Sequence, residues 1–440
     1  MIFALPFATF PYAEIFYVSS LLWQLILAWW WLPLPFLLWR PFSFLWLWWR
    51  SELWGSKIKY IMLEIRLPKE IIKPLKAMEN VFAGFWAAYD PPHWKEKWWD
   101  GKYLLSLSLE IVSLGGKIHF FIRTPDFLKN LIETSIYSQY PEVEVVEVSD
   151  YILDFQENLP NEEYDLWGCS YQTIKEDVYP IRTYLSFFEE EGEKIVEEAK
   201  RIDPLANLLE GMAKLRPGEN LWIQFLIKPL TNAENNLLDR GKETIAKIVG
   251  RKTEKPKEKP MLQEAAEILI FGIEEKKKEE DSQSLETKLT PGEREVVKAI
   301  EDKISKYFFE VAIRFIYLAK RDVFYKPNIK MPISFFVQFS TQNLNGLKPF
   351  SPTVTGVPYF MVKSRVEYRK RRIYKLYRYR LPPLYPLASQ VGGKEGVMVF
   401  NTEELATLFH FPSELLVPTP AIARLETKRG GAPPGLPVGP

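Results

Sequence analysis

The stretch Leu104–Arg123, LLSLSLEIVSLGGKIHFFIR, is where the reading of the fold begins. LLSLSLEIV alternates large apolar residues with Ser and Glu, the two-residue period of a half-buried strand. Gly115-Gly116 is a two-residue hairpin signal, since such turns need positive φ, and Lys117–Arg123, KIHFFIR, returns as the next strand. Upstream, Leu75, Met78, Val81, Phe82 and Phe85 fall at helical spacing within Leu75–Trp86, and Tyr60–Pro68, YIMLEIRLP, is an apolar strand closed by proline. Downstream, Asp126 caps a helix running to Tyr140, with Phe127, Leu131 and Ile132 on one side, and Glu142–Val148 is a last strand. The order is β-α-β-β-α-β, which predicts a ferredoxin-like unit over residues 56–160. Its expected core is Leu63, Ile65, Val81, Phe82, Leu107, Leu109, Phe120, Leu131 and Val145.

The same order can be followed a second time over residues 161–399. Tyr179–Phe188 reads as a strand, Pro204–Lys214 as a helix, and Leu221–Leu230, LWIQFLIKPL, as a strongly apolar strand. Phe308–Ala319 follows, then an apolar element at Ile333–Phe339 and a final strand at Ile373–Leu381. An insertion over 231–306 carries helices near Asn235–Val249, Met261–Phe271 and Pro291–Lys306, with KTEKPKEKP and EEKKKEEDSQS between them too charged to bury a core. Thr290-Pro291-Gly292-Glu293 is a capping box with proline at the first helical position. The expected class is therefore α+β, with two ferredoxin-like units, the second bearing a helical, charged insertion.

Residues 1–55 read differently. Ile15–Trp39 has no charged side chain, long enough for the ~20 apolar residues of one membrane span. Trp29, Trp30 and Trp31 form an aromatic belt at its far end, and Met1–Tyr12 carries none of the Lys or Arg of a signal peptide. Arg40, Arg50, Lys57 and Lys59 lie on the C-terminal side, so the positive-inside rule puts the N-terminus outside an inner (cytoplasmic) membrane and the bulk of the chain in the cytoplasm. Pro33, Pro35 and Pro41 interrupt the chain past that belt, giving either a Trp-rich segment in the interface or a second or re-entrant span over 33–49.

The 440 residues carry a formal net charge of +1, one cysteine and three histidines, so any polyanion binding must come from a local patch. Cys169 cannot form an internal disulfide and has no nearby His to make it a nucleophile, which leaves an inert thiol as the simpler reading. His93 and His119 lack partners at metal-ligand spacing, and the Trp94, Trp98 and Trp99 loop is either a sheet-edge cap or a contact for headgroups. No metal or cofactor is expected. The densest charge is KSRVEYRKRRIYKLYRYR, with Lys363, Arg365, Arg369, Lys370, Arg371, Arg372, Lys375, Arg378 and Arg380 interleaved with Tyr368, Tyr374, Tyr377 and Tyr379. It suits a backbone-tracking, base-stacking surface for DNA, an acidic-lipid contact, or the cationic face of a hairpin protecting a sheet edge.

In Phe400–Pro412, FNTEELATLFHFP, Asn401 caps a helix, Glu404 completes the capping box, and Leu405, Leu408 and Phe409 form its buried face, with His410 at the end. Together with LEIRLP at Leu63–Pro68 and NLNG at Asn343–Gly346, this segment resembles the membrane-anchored front halves of bacterial type IV secretion and conjugative-coupling ATPases of the FtsK–HerA lineage. The resemblance runs through most of the chain beyond Gly55. In that family a proline-rich connector leads into a P-loop ATPase domain. Here GGAPPGLPVGP is present, but no G-x-x-x-x-G-K-[ST] phosphate cradle occurs anywhere. With the cradle missing, the motor is either encoded separately or lost, and the resemblance implies a non-catalytic, membrane-anchored adaptor, able to form a ring as a homo-oligomer, that docks a separate P-loop ATPase at 400–440, the helix and proline-rich tail. Asn401, Glu404, Leu405, Phe409 and His410 are its expected docking residues. The rival readings are a membrane-surface enzyme acting on lipid, or a membrane tether binding nucleic acid through residues 363–380.

Overall fold

The computed structural model describes residues 12–29, 31–32, 34–68, 73–187, 203–250, 289–359, 361–383 and 396–412. The predicted helix at Met261–Phe271, the charged runs around it and the proline-rich tail lie outside them. The chain divides into two units, the first made of the chain up to Lys57 with Pro92–Tyr103, the second of Ile58–Pro91 with the chain from Leu104.

The second unit is built on one antiparallel sheet. Its strands are β1 (Tyr60–Arg66), β2 (Leu107–Leu114), β3 (Lys117–Pro125), β4 (Glu144–Val148), β5 (Tyr164–Thr173), β6 (Glu219–Leu230), β7 (Phe308–Lys320), β8 (Leu347–Pro349) and β9 (Met398–Asn401). The order is β4-β1-β3-β2-β6-β7-β5-β8, with β9 also on β7. The long β7 pairs with β6 along twelve positions, from Glu219↔Ala319 to Leu230↔Phe308. Its other edge is shared, β5 taking Arg314–Lys320 and β9 taking Phe308–Val311.

This overturns the expected fold class. The chain does not fold as two ferredoxin-like units, because β2 is no edge: it pairs with β6 from Leu107↔Ile227 to Leu114↔Asn220, and the sheet continues across. The second predicted set of elements also differs. Of Tyr179–Phe188, the described residues, up to Phe187, hold only a short 3-10 turn, Tyr184–Phe187, and the strand beside β7 is YDLWGCSYQT, β5, instead. Ile333–Phe339 lies largely in a helix, and Ile373–Leu381 mostly in another.

Both sheet faces are covered, which is why β1 and β6 read as near-continuous apolar runs. One face carries α3 (Lys76–Phe85), α4 (Lys129–Gln139), α5 (Ala206–Ala213), α9 (Lys330–Val337) and α11 (Thr402–Leu408) over Leu63, Leu109, Phe120, Phe225 and Phe315. Of the expected core residues, Leu131 and Val145 are only partly buried. The other face is closed by the Tyr151–Asp154 turn and by α10 (Val362–Arg378), over Met62, Val112, Trp222 and Ile316. Between α5 and α9 in sequence come α6 (Asn232–Asn235), α7 (Leu237–Val249) and α8 (Pro291–Ile304), and α7 and α8 pack beside Val178, Leu230 and Val399. Thr290 caps α8 through the predicted box with Glu293.

The first unit contains α1 (Tyr12–Trp29) and α2 (Leu34–Gly55). The uncharged run Ile15–Trp39 is not one helix, because α1 ends at Trp29, Trp31-Leu32 is a turn and α2 starts afresh at Leu34. α1 spans only about 27 Å at 1.5 Å per residue, and α2 carries Arg40, Pro41, Arg50 and Glu52. Among the described residues no helix is long and apolar enough to cross a membrane. The expected transmembrane helix is therefore corrected, and with it the inner-membrane placement and the topology that rested on charge asymmetry across a span. The Trp94–Trp99 segment, expected as a loop, is helical, with a π-helical turn over Glu96–Asp100, and belongs to this unit: Trp46 Nε1 donates to the Trp98 carbonyl (2.9 Å), and Trp39 stacks on Trp98. Gly101, at φ +77°, has the Arg50 carbonyl where a Cβ would sit, so only glycine fits this contact.

Candidate functional site

The basic segment folds as a helix, because its apolar residues Ile373, Tyr374, Leu376 and Tyr377 follow a three-to-four spacing and share one buried face of α10. The alternation of Tyr and Arg imitates a strand period without being one. The helix sorts the nine candidate cations. Lys370 pairs with Asp165 on β5 (2.5 Å), Arg369 donates to the Val354 carbonyl (2.8 Å), and Arg378 donates to the Ile152 and Phe155 carbonyls. Arg371 pairs with Glu367 one turn back, and Arg365 donates to the Tyr359 carbonyl (2.9 Å). Arg380 lies just past the helix and is buried. That leaves Lys363, Arg372 and Lys375 without a hydrogen bond or ion pair among the described residues. The cationic run is thus partly a fastening of α10 to the sheet.

Arg380 belongs to a buried polar network that no sequence motif announced. Its Nε donates to Glu110 Oε1 (3.0 Å) and its Nη1 to Asp150 Oδ2 (2.5 Å). Glu110 also accepts from Ser108 (2.6 Å), Gln224 Nε2 (2.9 Å) and the Tyr151 hydroxyl (2.6 Å), which lies 2.7 Å from the Tyr377 hydroxyl. Burial pushes the Glu110 carboxyl up, but the Arg380 charge and these donors outweigh it, so it sits below its ordinary value. Strand register extends the row: Glu110 faces Gln224, Gln224 faces Arg314, and Arg314 faces Ser170. Arg314 donates to the Leu381 carbonyl, while its Nε and Nη1, Gln224 Oε1 and Ser170 Oγ have no partner among the described residues. Burial pushes the Arg314 guanidinium down to about 9.

The C-terminal motif is structural throughout. Asn401 Oδ1 accepts from the Glu404 amide (2.8 Å), and Glu404 accepts from the Asn401 amide (3.0 Å), as the box predicts. Glu404 also meets Lys303 (3.0 Å) and accepts from the Ile181 amide (2.9 Å); burial, larger than the Lys303 attraction, holds its carboxyl above the ordinary value. Leu405 and Phe409 are fully buried, Phe409 against Phe120 and Phe225. His410 faces the Ala406 carbonyl and Asp203, each at 2.8 Å. Every residue from Asn401 to Pro412 is buried, so the expected docking residues offer no surface to a partner. NLNG is internal only in its second half, with Asn343 exposed and Asn345 and Gly346 buried: Asn345 donates to the Glu176 and Tyr179 carbonyls, each at 3.0 Å, and accepts from the Lys175 amide (2.8 Å).

The remaining candidates have ordinary surroundings. His119 Nδ1 lies 2.7 Å from Glu64, and Cys169 is buried with its thiol pushed up by burial. Among the described residues no group of three or more His, Cys, Asp or Glu side chains could hold a metal ion.

The first unit carries a different kind of feature. No residue of α2 is buried, and Pro35–Phe42, PFLLWRPF, is exposed along its whole length, with Phe36 at 79% and Trp39 at 59%. Leu45, Trp49 and Leu53 continue the surface along α2, Tyr17, Trp23, Leu27 and Trp29 expose another on α1, and Trp94 (71%) and Trp99 are exposed on the Trp94–Trp99 segment. Apolar exposure on this scale is uncommon on a monomeric protein and marks an interaction surface.

A protein-family model described as a domain of unknown function (DUF8128) matches residues 105–421, well over half of the chain, and the chain belongs to that family. No curated protein matches the sequence.

Proposed function

We propose that this DUF8128 protein is a non-catalytic adaptor that associates with the surface of a bilayer through its aromatic unit and presents its sheet domain there. The observation that carries the reading is the continuous exposure of Trp, Phe and Leu over Pro35–Phe42, with Arg40 among them and Arg50, Lys95 and Lys97 elsewhere in the same unit. Trp and Tyr favour the headgroup boundary because one edge of the ring is apolar and the other carries a polar handle, and nearby Lys and Arg suit the headgroups. Fully burying a large apolar side chain yields about 1.5–3 kcal/mol, so a few such residues sunk partway suffice for reversible binding. This association needs no spanning helix.

Co-sedimentation with phosphatidylcholine vesicles tests it. The full chain is expected to pellet with the vesicles, and Phe36→Ser with Trp39→Ser to lower the bound fraction at least tenfold while the thermal midpoint stays unchanged. A chain that remains in the supernatant at all lipid concentrations contradicts the reading.

A further inference from the structure

We infer that the outward stripe of α10 is a binding site for single-stranded nucleic acid. Along the helix and its C-cap Tyr379, Arg365, Tyr368, Arg372, Lys375 and Tyr379 follow one another at three- or four-residue steps, so they share one face. The opposite face, through Ile373, Tyr374 and Tyr377, is sunk in the sheet core, and Lys370 and Arg378 are tied down on the flanks. The stripe therefore faces outward, with Arg365, Tyr368, Lys375 and Tyr379 exposed and Arg372 half-buried among them. Tyr368 is 64% exposed and Tyr379 46%, about 16 Å apart along the axis, with Arg372 and Lys375 between them and no acid paired to either among the described residues.

That arrangement matches the features of a single strand. Phosphates repeat along a line, so cations one helical turn apart can track them, and bases splayed to the side have π-faces to stack on tyrosine. A helix half-sunk in a sheet presents only this line, which favours a strand over the groove of a duplex. Acidic lipid headgroups share the phosphate chemistry but give the tyrosines no stacking partner. The sorting of the cations sharpens the site: Arg369, Lys370 and Arg380 serve the fold, and Arg372 and Lys375 carry the binding.

The test is fluorescence anisotropy of a short labelled oligothymidylate with the full-length chain across a salt series. Binding is expected to weaken with salt, and Arg372→Gln with Lys375→Gln to reduce affinity on the order of tenfold and flatten the log–log slope by about 1.4, two phosphate contacts at ~0.7 each. Tyr368→Ala is expected to cost on the order of tenfold with the slope unchanged, the mark of lost stacking rather than lost charge. Lys326→Gln, on another element, serves as the charge-matched control. Absence of oligonucleotide binding at low salt overturns the inference. Equal loss in the control overturns it too, as does capture by acidic vesicles, without oligonucleotide binding, that depends on Arg372 and Lys375.

Discussion

Glu110 and Arg314 sit in one row across the sheet, separated by Gln224, and their situations are opposite. Glu110 is fully buried but met by Arg380 and several donors; Arg314 is equally buried and satisfied at one carbonyl. Removing one partner of a buried pair leaves the other charge uncompensated, a loss of about 3–5 kcal/mol. Arg380→Met is therefore expected to destabilise the chain by about that amount in urea unfolding, whereas Arg314→Met is expected to be neutral or stabilising by up to about 2 kcal/mol, since it removes a desolvated charge. A large loss with Arg314→Met would show that the guanidinium is better satisfied than its contacts indicate. Glu110 also sets a pH window. Its folded-state value is lowered, so its contribution is present above the ordinary carboxylate range and is lost as pH falls through the lowered value. The stability difference between the wild type and Glu110→Gln should accordingly shrink towards zero in acid melts below about pH 4. None of this network was legible in the sequence, because Glu110, Gln224, Arg314 and Ser170 come from four strands and only the register unites them.

At the scale of elements, legibility followed local signals. The capping boxes at Thr290 and Asn401 were legible because cap and partner lie three residues apart, and both form. The hairpin at Gly115-Gly116 and the apolar runs of β6 and β7 were legible for the same reason. β5 escapes such a reading because Asp165, Gly168 and Ser170 break its pattern, and it is held by pairing with β7 rather than by its own composition. Tyr and Arg in alternation hid the helical period of α10. The motif at Phe400–Pro412 carries a different lesson: a well-formed local signal says nothing about exposure. β9 pairs with β7 and α11 is buried, so deleting Phe400 onward is expected to unfold the sheet domain, read as lost cooperativity in thermal melting, instead of releasing a partner from an intact one. Glu404→Ala, which strands Lys303 in the core, should cost about 3–5 kcal/mol in the same assay.

At the scale of the molecule, two things decide the account. The sheet is one continuous structure because β6 pairs with β2 on one side and β7 on the other, a long-range choice that the order of elements did not reveal. The first unit is short of a span because the turn at Trp31-Leu32 divides the apolar run, yet many of its Trp, Phe and Leu side chains are exposed. Tryptophan emission reads this unit almost alone, since of the fifteen tryptophans only Trp86, Trp167 and Trp222 lie outside it. Quenching of that emission by phosphatidylcholine vesicles brominated at shallow or deep positions of the acyl chain is therefore the most direct measurement. Surface association predicts strong quenching by shallow bromines and weak quenching by deep ones; emission unchanged by either lipid would contradict it.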